Sequence, residues 1–199
     1  MKIFHIIRNS KNISLFKEII LHTLHSGRCD EVFISSGFFV ENNKIQMSTE
    51  TDSTGVMDLK NVANPQNITL YIKGCFNRTN QAQMWNFANS LRQAGYNTQV
   101  LPYKSKHHAK VFIAQNKKIP ICEIIGSSNF TTSAYGTGKA YNIEADFVIF
   151  NDGLLEKTLI ERISNNHLHD GIMVMDYFEG QNLGKSLIEQ MIWIRDNLF

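Results

Sequence analysis

The chain has 199 residues, enough to bury a hydrophobic core within one domain. Apolar residues make up 43% and charged residues 19%, which is typical of a globular protein and argues against a disordered one. The formal net charge of +2 permits binding to a polyanion without showing it. The three cysteines are widely spaced, with no CxxC or Cys/His metal spacing, which argues against a disulfide framework. No apolar run approaches the ~20 residues of a membrane-spanning helix, and the N-terminal run is too short for a signal peptide, so we expect a cytoplasmic protein.

The predicted elements alternate between strands and helices. Hydrophobic periodicity predicts strands at 2–7, 31–36, 67–73, 100–101, 107–115, 119–125 and 141–150. Periodicity and stop signals predict helices at 15–25, 79–93, 153–165 and 184–198, with an extended segment at 172–178. Residues 41–66 are polar and broken, so we expect loops there with at most one short helix near Val56–Val62. This alternation predicts a layered α/β domain over residues 1–199.

The chemically informative stretch is the pair His108 and Lys110, followed by the turn Gly126–Asn129. Because side chains alternate along a strand, the two basic groups are expected on one face, about 6–7 Å apart. This distance suits an imidazole and an ammonium that grip one phosphate. The glycine turn lets the backbone approach an anion, where Asn129 can donate an amide hydrogen.

A second polar row follows downstream. In a strand over 141–150, alternation puts Asn142, Glu144 and Asp146 on one face. Polar side chains on a central strand have to face something polar, and for Asp146 a supporting position is expected rather than direct contact with substrate. An ordinary β-hairpin with a solvated histidine and lysine remains the alternative, but it must also explain this row.

Together, H-x-K, G-S-x-N and N-x-E resemble the signature of the phospholipase D superfamily, H-x-K-x4-D-x6-G-S-x-N, in its nuclease branch. Gln115 stands where the family has the aspartate, and the spacing from there to Gly126 is longer than the family pattern. The family's aspartate mainly supports the structure around the site, so its replacement removes no phosphate ligand. The resemblance implies a phospholipase D-like α/β fold, a mixed β-sheet flanked by helices on both faces, with one motif per chain.

The resemblance also implies a role for each residue. His108 would attack phosphorus and form a covalent phosphohistidine, while a second histidine protonates the leaving oxygen. Lys110 and Asn129 would hold the phosphoryl oxygens, and Glu144 would orient the histidine. No metal or other cofactor is needed. The family's enzymes use two motifs and this chain contains a single H-x-K, so the site is expected to form across a homodimer with His108 from each subunit.

These features predict a metal-independent endonuclease acting on DNA, with RNA left open as a substrate and no membrane partner. The chain would be a stand-alone nonspecific nuclease or the catalytic portion of a restriction endonuclease. Further candidates for substrate binding are Ser127 of the turn and three lysines near the motif, Lys104, Lys106 and Lys139. For the serine, a turn-forming role is at least an equal alternative. For the lysines, a solvated surface position is an equal alternative. Two other functions stay open, a phospholipase or phosphatidyl-transferase and a non-catalytic nucleic-acid-binding relative.

Overall fold

The computed structural model describes residues 2–8, 15–39, 48–51, 55–74, 78–102, 107–130, 143–165 and 171–199. The strands are β1 (Lys2–Arg8), β2 (Glu31–Ser35), β3 (Ser48–Thr51), β4 (Gly55–Asp58), β5 (Thr69–Lys73), β6 (Asn97–Val100), β7 (Val111–Asn116), β8 (Ile119–Gly126), β9 (Glu144–Phe150) and β10 (Ile172–Asp176). The helices are α1 (Leu15–His25), α2 (Arg78–Gln93), α3 (Gly153–Asn165) and α4 (Leu187–Leu198). Short 3₁₀ turns lie at Leu59–Asn61, Pro65–Asn67 and Glu179–Gln181.

Eight of these strands form one sheet in the order β10-β1-β9-β8-β7-β2-β5-β6. Strand β2 pairs in parallel with β5 and antiparallel with β7, and the antiparallel pairing continues through β8, β9, β1 and β10. The sheet is therefore mixed, and the predicted α/β architecture is confirmed. Strands β9, β8, β7 and β2 are consecutive neighbours in its centre.

Two clusters of buried side chains pack against the sheet. The larger cluster joins residues of α1, α2 and α3 to strand residues such as Val148 and Phe150. The smaller one joins Leu187 and Met191 of α4 to Ile149. Because successive strand residues point to opposite faces, β9 contributes its alternate side chains to two different clusters. Burying each large apolar side chain favours folding by about 1.5–3 kcal/mol, so this alternation fixes which way β9 faces.

The predicted strand 107–115 begins only at Val111, so the prediction was wrong for residues 107–110. Strand β2 ends at Ser35, which pairs with Val111, and the chain before Val111 has no β2 residue left to pair with. A strand over 107–115 would also place His108 on the same face as Phe112, but residue 108 lies before the strand begins. Phe112 is fully buried in the core, whereas His108 is exposed.

Larger differences from the predictions lie at residues 48–61 and at the start of the last helix. Instead of one short helix near Val56–Val62, β3 and β4 form a hairpin that contacts α1, followed by the 3₁₀ turn at Leu59–Asn61. Packing against a helix stabilises strands whose polar sequence carries little signal of its own. The last helix begins at Leu187 rather than at position 184, because Ser186 and Glu189 form a capping box that ends the extended backbone there.

Candidate active site

The candidate site lies where the four central strands end at one edge of the sheet. Segment Ser36–Phe39 follows β2, residues 107–110 lead into β7, the turn 127–130 follows β8, and Glu144 begins β9. Because neighbouring antiparallel strands run in opposite directions, the end of one meets the beginning of the next. A bridge between Phe39 and Phe130 ties two of these segments together. Segments distant in sequence thereby form one site.

His108 and Lys110 are in direct contact. The lysine Nζ lies 2.9 Å from Nδ1 and 3.1 Å from Nε2 of the imidazole, and it donates to the backbone oxygen of His108 at 2.9 Å. Burial and then the Lys110 charge lower the pKa of His108 below its usual value. The neutral imidazole, the form with a lone pair for attack on phosphorus, is therefore favoured. Burial also lowers the pKa of Lys110, an effect that Glu144 opposes.

The turn after β8 is built around Asp146. The buried carboxylate accepts from the backbone N–H of Ser128 at 3.2 Å and from its hydroxyl at 2.6 Å. Position 126 has to be glycine, because a Cβ there would overlap Oδ1 of Asp146. Burial raises the pKa of Asp146, and the bonds from Ser128 oppose that shift. Asp146 thus supports the turn that carries Ser127 and Asn129.

Ser127 and Glu144 form a second contact between this turn and β9. The Ser127 hydroxyl donates to Oε2 of Glu144 and accepts from the backbone N–H of Ala145 at 2.9 Å. Glu144 is 5% exposed, and its charge raises the pKa of Lys110. The carboxylate is therefore near enough to affect Lys110 in this way, and it is held by Ser127. A hydrogen bond from a ring N–H of the histidine to Glu144 stays a prediction.

The side-chain amide of Asn129 lies beside Ser36, a fully buried residue just after β2. Its Oδ1 atom is 3.2 Å from the Ser36 hydroxyl, whose single hydrogen also has the backbone oxygen of Phe38 as an acceptor at 2.6 Å. The contact positions an amide, a group that can donate to an anion through its nitrogen. The sequence points to Ser36 only through a Ser-Ser-Gly run at the end of a predicted strand. The edge-on contact of Phe38 with the His108 ring, 5.9 Å between centroids, has no clear sequence signal.

Gln115, in the position of the family's aspartate, lies at the opposite end of β7 from the site. Its amide nitrogen donates to Oε2 of Glu31, and its oxygen accepts from Nη1 of Arg195 at 2.7 Å. The residue is 2% exposed. Gln115 therefore links β2 to α4 and contacts no phosphate-binding residue of the site described above.

Some predicted features lie outside the described residues: Lys104, Lys106, Lys139 and Asn142. Within the ranges that the structure describes, no group of three or more His, Cys, Asp or Glu side chains is placed to hold a metal ion. In the same ranges, no helix has the length and apolar character needed to cross a membrane.

No protein-family model and no curated protein matches the chain. Among solved structures it is similar to a polyphosphate kinase from Porphyromonas gingivalis, with 13% identity and a TM-score of 0.45 over 82% of this chain and 26% of that one. It is similar to NucT from Helicobacter pylori, with 15% identity and a TM-score of 0.43 over 86% of this chain and 99% of that one. It is also similar to phosphatidylserine synthase from Haemophilus influenzae Rd KW20, with 10% identity and a TM-score of 0.46 over 98% and 44%.

The chain thus spans about a quarter of the kinase and under half of the synthase, but nearly all of NucT. Every one of the three TM-scores is below 0.5, so the case for a function rests on the site itself.

Proposed function

We propose that the protein is a phosphodiesterase that cleaves DNA without a metal ion, through a covalent phosphohistidine on His108. The observation that carries this proposal is the contact between the His108 imidazole and the Lys110 ammonium, beside Asn129 at the end of the central strands. Cleavage of a phosphodiester bond requires a neutral nucleophile and, for the charge on the phosphoryl oxygens, a cation and an amide donor. Lys110 and Asn129 supply the charge neutralisation that a metal provides in other hydrolases.

The reaction proceeds in two steps. A ring nitrogen of His108 attacks phosphorus, the N–P bond forms, and the bond to the leaving oxygen breaks as a second imidazolium gives it a proton. Lys110 and Asn129 donate to the non-bridging oxygens as their charge develops. In the second step, water attacks phosphorus, gives its proton to the second imidazole, and releases His108 as the N–P bond breaks. The products are an alcohol and a phosphomonoester, and both imidazoles are restored.

The second imidazole comes from a second copy of the chain in this proposal. The sequence contains one H-x-K, so a symmetric dimer supplies the pair. Exposed apolar side chains on the two strands that pair at Glu144 offer a surface for this: Phe147 is 42% exposed and Ile7 is 38% exposed. They lie on the sheet face opposite the Glu144 and Asp146 side chains, and the Phe147 ring stacks on His5 with 4.5 Å between centroids. An exposed apolar surface on these strands suits a self-complementary interface.

The dimer is tested by light scattering coupled to gel filtration. We expect a dimer for the wild type at micromolar concentration and a monomer without activity for Phe147→Glu, because a buried charge opposes association. The matched control is Leu183→Glu, since Leu183 is 93% exposed and distant from this surface in sequence. A monodisperse, active wild-type monomer would contradict the shared site.

The finer features of the proposal follow from the motif. The substrate is DNA, with RNA as a second possibility, and the basic residues Lys104, Lys106 and Lys139 flank the motif in sequence and would contact the nucleic-acid backbone. The chain acts as one domain over residues 1–199, either as a stand-alone nonspecific nuclease in the cytoplasm or as the catalytic portion of a restriction endonuclease.

The activity is tested by incubating the protein with supercoiled plasmid in excess EDTA. We expect the wild type to cut, His108→Ala to lose all measurable cutting, and the control His25→Ala, at the end of α1, to behave as the wild type. Acid quenching with end-labelled substrate should trap radiolabelled phosphate on wild-type protein only. Failure to cut DNA or RNA, or cutting that EDTA abolishes, would overturn the proposal. Turnover of a lipid phosphodiester in place of DNA would favour the phospholipase alternative.

A further inference from the structure

Residues 107–110 carry the proposed nucleophile, yet they lie outside the strands of the sheet. Their attachment to the neighbouring segment comes from Ser35, the last residue of β2, which is fully buried. The Ser35 hydroxyl lies 2.5 Å from Nε2 of His107 and 3.0 Å from the backbone oxygen of Ala109. One side chain therefore touches this segment at two points, on either side of His108.

The direction of these two hydrogen bonds follows from counting protons. A serine hydroxyl has one hydrogen to donate, and a carbonyl oxygen can only accept. The Ser35 proton must therefore go to the oxygen of Ala109. Nε2 of His107 must then carry a hydrogen and donate it to the Ser35 oxygen. The chain of bonds runs from the His107 ring through Ser35 to the backbone between His108 and Lys110.

The backbone around the two histidine rings leaves them little room. Gly74 has a φ of +103°, and a Cβ at that position would overlap Cδ2 of His107. A Cβ on Gly37 would lie 2.6 Å from Cδ2 of His108. Each ring is thus packed against a glycine, and a larger residue at either place would displace it. Burial first, then Lys73 and His108, lower the pKa of His107, in keeping with a neutral ring.

We propose that His107 and Ser35 are positioning residues that hold the Ala109 carbonyl and thereby set the directions of the flanking His108 and Lys110 side chains. This inference rests on the proposed function for its effect on catalysis. Neither residue touches the phosphate. The backbone N–H of Gly126 donates to the Lys110 oxygen at 3.2 Å, while the Ala109 carbonyl depends on the Ser35 side chain. A segment bonded in this way can place His108 and Lys110 toward one phosphate. Misplacing reactive groups by about 1 Å costs about 100-fold in rate.

The first test determines the tautomer of His107 and needs no substrate. Nitrogen-15 NMR of the full chain, labelled at histidine, reports which ring nitrogen carries the hydrogen. We expect His107 to be neutral with its hydrogen on Nε2, and expect that signal to change in Ser35→Ala. A neutral His107 with its hydrogen on Nδ1 would overturn the proposal. Because no DNA is cut in this measurement, its result stands whether or not the protein proves to be a nuclease.

The second test separates positioning from packing. His107→Leu keeps an apolar filling but no donor, and His107→Gln keeps an N–H near the position of Nε2. We expect Ser35→Ala and His107→Leu to lower kcat for DNA cutting by about 10- to 100-fold with KM little changed, and His107→Gln to restore most of it. The control is Ser90→Ala, which removes a serine bond to Asn86 on the exposed side of α2.

Thermal unfolding of each variant shows whether it is folded when assayed. An unchanged kcat in folded His107→Leu, or a loss that His107→Gln does not restore, would overturn the proposal. If His107→Leu does not fold, the proposal is judged by the wild-type tautomer: a hydrogen on Nε2 of His107 supports it, and a hydrogen on Nδ1 overturns it. A wild type that cuts no nucleic acid would refute the proposed function while leaving the tautomer result unaffected.

Discussion

The polar residues at the two ends of β7 differ in how they are paired with other protein groups. At the end far from the site, both polar atoms of Gln115 are paired with protein groups, on Glu31 and Arg195. At the site end, the Lys110 cation contacts a neutral ring, while the nearby Glu144 carboxylate is bonded to Ser127. The far end is a closed network, whereas the site end keeps a positive charge where a phosphate would bind. We therefore expect substitutions at the two ends to separate activity from stability.

The largest expected effect is on activity at the site end. Lys110→Met should lower DNA cutting by about 100- to 1,000-fold, because a cationic donor to the developing phosphoryl charge is lost. Its melting temperature should stay close to that of the wild type. The matched control at the other end of the same strand is Lys118→Met, a lysine of the turn between β7 and β8, which should cut normally. Equal losses in both variants would remove the contrast between the two ends.

The second effect concerns Glu123 of β8, which is fully buried with neither carboxylate oxygen hydrogen-bonded to a described residue. Burial raises its pKa to about 8 from a usual 4.5. The folded state thus holds a proton that the unfolded state releases above pH ~4.5, so stability falls as the pH rises toward ~8. Between about pH 5 and pH 7 this amounts to about 2–3 kcal/mol.

Glu123→Gln should remove this pH dependence from the free energy of unfolding, measured in urea at the two pH values. Glu161→Gln, on the exposed surface of α3 at 59% side-chain exposure, is the control and should keep it. A pH dependence that is the same in Glu123→Gln and the wild type would show that the carboxylate has a partner or reaches water.

A smaller loss of stability is expected at the far end of β7. Gln115→Ala removes the bonds of Gln115 to Glu31 and Arg195, but both residues are only half-buried and keep other partners, so we expect a cost of about 0.5–1.5 kcal/mol. Activity per folded molecule should not change, since Gln115 is remote from the site. Chemical unfolding and the plasmid assay measure the two quantities, with the exposed neighbour Asn116→Ala as control. A loss of cutting without a loss of stability would place Gln115 in the active site after all.

The smallest effect is on the titration of His108. Its pKa lies below the usual value through burial and the neighbouring charge of Lys110. Lys110→Met removes the second cause only, so the pKa should rise part of the way toward 6.5, as measured by NMR titration. Lys118→Met should leave it unchanged. In the wild type, the neutral imidazole persists to a lower pH than in a free histidine, and the acid limb of the activity profile should lie below 6.5 accordingly.

The sequence was informative wherever the signal is local. Helices α1 and α3 have the predicted bounds because apolar residues repeat at helical spacing between clear stop signals. The layered α/β architecture was predicted from the alternation of elements. The hairpin of β3 and β4 was missed because its strands are short and polar, and their pairing with each other and contact with α1 are long-range facts.

At the site, the motif identified the residues but not their arrangement. Strand alternation predicted His108 and Lys110 about 6–7 Å apart along a strand. The structure instead places them in contact, because β2 stops at Ser35 and the segment before Val111 leaves the sheet. Likewise, the row of Glu144 and Asp146 was predicted, while the serines that bind these two carboxylates became visible only when β8 and β9 were paired.

By itself, the sequence determined which residues are candidates for the chemistry, since H-x-K, G-S-x-N and N-x-E are visible in its order alone. Only the tertiary structure decided how they meet. It ended β2 at Ser35, three residues short of the position that would pair with His108, put Ser35 and Ser36 under the site, and turned Gln115 toward α4. The physical reason is that hydrogen bonds between segments about 70 to 90 residues apart leave no periodic trace in the chain that makes them.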